Sequence, residues 1–273
     1  MQLRESFFRG KGMRGAIQQY TGTALWLGFF AFVLAAWALL FAMQPGGAAA
    51  EMAELYGSDF LRTLCAPITA KTGYGALFAM WALMSAAMMA PTFVPTLSTY
   101  RGLTHTEAAG TATFVMLVVS YLMVWLGFSG AAALAQLGLA RAGLIGVDGI
   151  SVSLWLSAAL LLIAGAYQFS PQKDACLSKC RAPMMFFMEY WRPGLGGAAR
   201  MGWKLGAICI GCCWALMLLG FVGGVMNPVW MGIATILMVL EKLPEIGRYI
   251  TRPLGGALLV AGGLSVAAAL SGV

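Results

Sequence analysis

The stretch Met201–Gly223, MGWKLGAICIGCCWALMLLGFVG, decides the class of fold, because Lys204 is its only charged residue. A helix needs about 20 apolar residues to cross the hydrocarbon core of a bilayer. Backbone polar groups have no water to bond in lipid, so such a window predicts a helix. Six further windows of this kind occur along the chain: Thr23–Met43, Tyr74–Leu97, Thr111–Gly130, Val152–Phe169, Asn227–Leu240 and Leu254–Leu270.

The composition of the whole chain agrees with these windows. Of its 273 residues, 60% are hydrophobic and 10% are charged, against roughly 25% charged in a typical soluble domain. Soluble enzymes, nucleic-acid-binding modules and disordered proteins are thereby excluded. We predict an all-α fold, a polytopic membrane helix bundle of about seven transmembrane helices. The net charge of +7 then bears on topology and does not indicate a nucleic-acid partner.

Basic residues collect in the cytoplasmic loops of membrane proteins. With the N-terminus inside, fourteen Lys and Arg residues fall on the cytoplasmic side and three on the outer side. We therefore expect residues 1–21 to be a cytoplasmic N-terminal segment and residues 22–273 to be a single membrane domain. Two further segments lie outside the seven windows. Ala131–Leu144 is either an interfacial helix or part of a longer loop, and Pro45–Gly73 is expected to lie along the outer surface as an amphipathic helix.

Soft sulfur ligands are concentrated in the fifth window along the chain, Met201–Gly223. Cys209, Cys212 and Cys213 stand at positions i, i+3 and i+4, which share one face of a helix. Met217, four residues beyond Cys213, extends that face. Thiolate and thioether sulfur prefer Cu(I), and thiolates also bind Zn(II). The alternative is that these cysteines are small apolar residues that pack between helices.

The second window along the chain, Tyr74–Leu97, carries a line of thioethers. Met80, Met84 and Met88 repeat every four residues along one helical face. Pro91 cannot donate a hydrogen bond to the carbonyl of Ala87, which predicts a kink and a carbonyl that needs a side chain, a water or an ion. The methionines fall at about the same depth as the fifth-window cysteines, so a shared intramembrane sulfur site is one interpretation. Simple packing is the other.

A second cysteine pair lies in the most basic loop. Cys176 and Cys180 are four residues apart, and Lys179 and Arg181 beside them are expected to favour thiolates. Two cysteines fall short of a four-ligand structural zinc site. The pair is open to three interpretations: an entry or exit station for metal, a redox pair, or two reduced thiols without a role.

Isolated ionisable residues near the ends of the windows have mainly structural interpretations. Glu241, at the end of the sixth window, is expected to find Lys242, Arg248 or a water-filled vestibule, because an acid facing lipid is costly. His105 is the single histidine and fits a helix start. A haem with two histidine ligands and a zinc hydrolase site are therefore not expected.

Several spaced motifs occur in a fixed order: MSAAMMAP at 84–91 with Pro95, Cys176-xxx-Cys180-Arg181-x-Pro183, Trp191-Arg192-x-Gly194 with Gly202, Cys209-x-Gly211-Cys212-Cys213-Trp214, Met226-Asn227 with Trp230-Met231, and Glu241-Lys242-x-x-Pro244. Over about residues 74–262 the chain resembles a bacterial family of predicted metal-binding integral membrane proteins of unknown function. The resemblance implies a multi-pass protein of the bacterial inner (plasma) membrane. It also implies a ligand set: Met88, Met89, Cys176, Cys180, Cys209, Cys212 and Cys213.

Three hypotheses for function follow. The first is a transporter or membrane metallochaperone that handles a soft ion, Cu(I) with zinc as the other candidate, by exchange between Cys and Met ligands, with kinks at Pro91 and Pro95 permitting access. The second is an accessory subunit of a larger respiratory, photosynthetic or monooxygenase complex. The third, a thiol oxidoreductase, would make the protein an enzyme, which we do not expect. The expected partners are the lipid bilayer and a copper enzyme or larger membrane complex.

Overall fold

The computed structural model describes residues 23–41, 73–103, 110–146, 149–225 and 227–271. These residues form helices joined by short connections, with an isolated bridge between Ile145 and Ser151 and no strand among them. The helices are α1 Thr23–Phe41, α2 Tyr74–Gly102, α3 Thr111–Arg141, α4 Leu154–Tyr167, α5 Pro171–Arg181, α6 Pro183–Tyr190, α7 Gly194–Leu218, α8 Gly220–Gly223, α9 Pro228–Lys242 and α10 Gly247–Ser271. The all-α prediction is confirmed.

Within the described ranges, five helices are long and apolar enough to cross a membrane, against the seven expected for the chain. They are α1, α2, α3, α7 together with α8, and α10. A sixth is obtained if α4 and α5 are taken as one broken span with a bend of 62°. The sixth sequence window, Asn227–Leu240, forms most of α9. This helix has 15 residues, fewer than the roughly 20 that a span needs.

The bend between α4 and α5 has a local cause. The Ser170 side chain accepts a hydrogen bond from the backbone N–H of Lys173, and Pro171 occupies the first helical position of α5. A capping serine followed by proline starts a new helix. The chain therefore turns at the end of α4, and the loop that carries Cys176 and Cys180 is a helix.

Ala131–Leu144 is not a separate interfacial helix or a loop, because α3 continues through it to Arg141. Its first residues are buried, with Ala132 and Ala133 packed in the core, so the helix gains contacts by continuing. The predicted amphipathic segment Pro45–Gly73 falls, apart from Gly73, outside the described residues. So does His105.

Helix α2 runs through Pro91 and Pro95 as one helix of 29 residues. The carbonyl of Ala87, which Pro91 leaves without its helical donor, accepts a hydrogen bond of 3.1 Å from the indole N–H of Trp37 in α1. The partner that this carbonyl was expected to need is thus a side chain. This bond ties α1 to the middle of α2.

Helices α3 and α7 approach closely through glycine. A Cβ at Gly202 would lie 2.5 Å from the carbonyl oxygen of Leu117, and a Cβ at Gly206 would lie 2.7 Å from the Cβ of Val124. Small residues four apart allow helix backbones to come together in this way. The contact brings the next turn of α7, which begins the cysteine face, against α3.

Candidate metal centre

Helix α7 presents three buried thiols on one face. The Sγ atoms of Cys209, Cys212 and Cys213 all lie within 4.8 Å of one another, and those of Cys212 and Cys213 are 3.2 Å apart. Sulfur-to-metal bonds of about 2.3 Å let one ion join sulfurs up to about 4.6 Å apart. The cluster therefore has the dimensions for one soft ion after small side-chain adjustments.

A fourth thiol comes from α5. The Sγ of Cys180 lies 3.9 Å from the Sγ of Cys212, a separation that a single ion can bridge. The two helices meet at Gly211, where a Cβ would lie 2.6 Å from the Sγ of Cys176. The loop pair and the span triplet, separate in the sequence, thus face each other.

The buried ammonium of Lys242 also belongs to the cluster. Its Nζ donates to the Sγ of Cys209 at 3.0 Å and to the hydroxyl oxygen of Thr92 at 2.8 Å. The expectation that Lys242, Arg248 or a vestibule would satisfy Glu241 was wrong, because the Glu241 carboxylate pairs with Lys173 at 2.9 Å. Neighbouring residues on a helix point in different directions, so α9 turns Lys242 to the thiols and Glu241 to α5.

With both of its lysines protonated, this buried network carries one more positive charge than negative charge. Lys173 and Lys242 are both buried, and Glu241 is the only carboxylate that pairs with either of them in the part of the chain described. A buried charge is costly unless it is paired. An ionised Cys209 would compensate Lys242, and a thiolate is the form that binds metal.

Other polar groups complete the surroundings of Cys209. The Tyr121 hydroxyl lies 3.1 Å from the Cys209 Sγ, and its ring stacks on Phe93 with centroids 3.9 Å apart. A cavity of about 10 Å³ beside the sulfur is lined by Cys180, Cys209, Thr92, Tyr121 and Lys242 among others. Such a volume holds about one water molecule, so the thiols border a space of atomic size.

The predicted methionine ligands are buried but are not among the residues that line this cavity. Met84, Met88, Met89 and Met217 lie in the core. Met89 reaches the site through its backbone carbonyl, which accepts hydrogen bonds from Thr92 at 2.8 Å and from Tyr121 at 3.4 Å. Ligation of metal by these thioethers stays a prediction.

The basic residues beside the α5 thiols serve other partners. Lys179 donates to the Tyr190 hydroxyl at 2.9 Å, and Arg181 donates through Nε to the backbone carbonyl of Glu241 at 2.8 Å. These bonds anchor the end of α5 that carries Cys180. That Lys179 and Arg181 favour thiolates at Cys176 and Cys180 stays a prediction.

Sequence reasoning missed Lys242, Lys173 and Tyr121 as members of the site. An ionisable residue within a membrane helix is a functional candidate by default, so Lys242 at the end of an apolar window carried a usable signal. Tyr121 carried none, because one hydroxyl in an apolar window does not reveal which helix it will face.

These features define a helical protein with a buried cluster of soft metal ligands. A family model described as "PpoB2: Copper chaperone" matches residues 78–265. Since the match covers more than half of the chain, the protein belongs to this family. The match supports the metal-binding part of the resemblance noted from the sequence. No curated protein and no solved structure matches the chain.

Proposed function

We propose that this protein is a membrane copper chaperone that holds Cu(I) among thiolates inside the helix bundle. The observation that carries the proposal is the cluster of Cys209, Cys212 and Cys213, with Sγ atoms within 4.8 Å of one another. Thiolates are soft ligands that suit Cu(I). Membership of a family described as a copper chaperone supports copper over zinc as the cargo.

The proposed transfer is a ligand exchange that begins at α5. Cu(I) arrives bound to a donor thiolate and passes to Cys180. The bond to the donor breaks as the bond to Cys180 forms, and the proton of the Cys180 thiol passes to the departing donor thiolate. Because the Cys180 and Cys212 sulfurs are 3.9 Å apart, one ion bonds to both before it leaves Cys180. The ion stays Cu(I) throughout, so no electron is exchanged. Cys176, beside Cys180 on α5, is the second thiol of the entry station.

Further parts of the proposal come from the sequence. The protein is a multi-pass protein of the bacterial inner membrane with its N-terminus inside, and it is not an enzyme. Met84, Met88, Met89 and Met217 offer thioether positions deeper in the bundle for ligand exchange. A copper enzyme or a larger membrane complex receives the ion.

The first experiment measures metal content. We expect wild-type protein loaded with Cu(I) under reducing conditions to retain about one copper per chain, and C209S/C212S/C213S to retain less than about a tenth of that. Cys65→Ser, a cysteine outside the described residues, controls for general loss of thiol. Trace copper in the wild type, unchanged copper in the triple variant, or stoichiometric zinc in place of copper would refute the proposal.

A second experiment separates entry from storage. Cys180→Ser removes the proposed first acceptor and leaves the α7 cluster, so we expect slower loading from a Cu(I)-thiolate donor, by about tenfold or more, with nearly unchanged final copper. The transfer is stopped at timed intervals, the protein is separated from the donor by rapid desalting, and the copper bound to the protein at each time gives the loading rate. Loading at the wild-type rate would show that Cys180 is not on the route.

A further inference from the structure

A second, larger pocket lies where α5 meets the start of α10. Its volume is about 490 Å³, and its lining includes Arg181, Arg248, Arg252 and Asp174. None of these residues lines the cavity beside Cys209. The pocket is therefore separate from the candidate metal centre.

The pocket has an excess of positive charge. Arg248 and Arg252 are four residues apart in the first turns of α10 and so share a face, and Arg181 comes from α5. Asp174 is the only carboxylate among the residues that line the pocket. Within the described chain neither α10 arginine lies within 4 Å of a carboxylate oxygen. Three guanidinium groups around one pocket suit an anion with several oxygen atoms, because arginine binds phosphate through paired N–H groups.

The position of the pocket indicates which anion it meets. Helix α10 is 25 residues long and apolar enough to cross a membrane, and the two arginines lie at its beginning. Tyr249 between them is 73% exposed, as expected of a tyrosine at the level of the lipid headgroups. Basic pockets between membrane helices on the cytoplasmic side bind phosphate-bearing headgroups.

We propose that this pocket binds the phosphate of an anionic phospholipid headgroup. Arg248 and Arg252 contact the phosphate from α10, and Arg181 contacts it from α5. The proposal depends on the membrane location of the chain and not on its copper chemistry.

The bound headgroup would also brace the metal site, because Arg181 connects the two. Its Nε donates to the backbone carbonyl of Glu241 at 2.8 Å, and its terminal nitrogen lies 3.2 Å from the Thr251 hydroxyl. Arg181 is one residue from Cys180, and Glu241 is one residue from Lys242. A phosphate bound to Arg181 therefore also restrains the residues next to Cys180 and Lys242.

Native mass spectrometry of the full chain in a neutral detergent tests the proposal. The protein is titrated with phosphatidylglycerol and, separately, with phosphatidylcholine. We expect R248Q/R252Q to bind phosphatidylglycerol about 30-fold more weakly than wild type, because each basic residue near an anionic headgroup contributes about fivefold in affinity. Both arginines are exposed, so the variant should fold. R192Q/R200Q removes the same charge from exposed positions outside the pocket and should stay within about threefold of wild type.

Either of two results would overturn the proposal. Equal affinities of R248Q/R252Q and wild type for phosphatidylglycerol would show that the pocket does not bind the headgroup. Displacement of phosphatidylglycerol by millimolar inorganic phosphate or glycerol phosphate would identify a site for soluble phosphates instead. The copper content of R248Q/R252Q is measured in parallel, so that failure of the lipid proposal and failure of the copper proposal are distinguished.

Discussion

Replacing Lys242 by Leu should weaken Cu(I) binding without removing or adding any sulfur ligand. Leucine keeps an apolar side chain but lacks the ammonium that lies 3.0 Å from the Cys209 Sγ. At that distance the attraction between unit charges is about 5.5 kcal/mol for an effective dielectric constant of 20, which sets a ceiling. Thr92 shares the ammonium, and a hydrogen bond to a charged group contributes about 1.5–3 kcal/mol net.

We therefore expect the Kd for Cu(I) of Lys242→Leu to rise by about 10- to 150-fold. Competition against a chromophoric Cu(I) chelator under anaerobic conditions measures this Kd. Lys204→Leu is the matched control, because the Lys204 ammonium lies over the Tyr190 ring, 3.7 Å from its centroid. A Kd for Lys242→Leu within threefold of wild type would refute the assignment of Lys242 to the metal site.

The remaining predictions concern the scaffold and are read from thermal unfolding in detergent. Lys173→Met leaves Glu241 buried without its partner, so the free energy of unfolding should fall by about 3–5 kcal/mol, whereas K173M/E241Q should lose less. Equal losses in the two variants would contradict a buried ion pair. Gly206→Ala places a Cβ where α3 leaves no room and should cost about 1–3 kcal/mol. The matched control Gly196→Ala, which has open space, should stay within about 0.5 kcal/mol. A Gly206→Ala protein as stable as this control would contradict the close approach of α3 and α7.

The helical class and the thiol triplet were predictable because both are local. An apolar window by itself predicts a helix. Positions i, i+3 and i+4 share one face of that helix regardless of how the neighbouring helices pack. The number of spans was not predictable in the same way. A window that ends at a bend, such as the one before Ser170, has the same composition as a window that crosses the bilayer.

The position of Cys180 beside the thiol triplet depends on tertiary structure and could not be predicted. Nothing in the spacing of Cys176 and Cys180 places them beside Cys212, because the contact follows from the 62° bend and from the bare backbone of Gly211. The serine and proline that restart the helix at Ser170 carried part of the signal. The direction of Lys242 had no such signal, since either residue of a Glu-Lys pair can face the bundle until the rotation of α9 is known.

Glu241 and Lys242 point in different directions from the end of α9, so the rotation of this helix about its axis determines which of them meets the thiols. An insertion of one residue between Asn227 and Glu241 would rotate the end of the helix by about 100° and turn the Glu241 carboxylate toward the thiols. That anion would repel the thiolates and leave Lys173 without a counterion. Insertions should therefore be rare among relatives in this stretch, while substitutions on its exposed side, such as at Ile236, should be freely accepted.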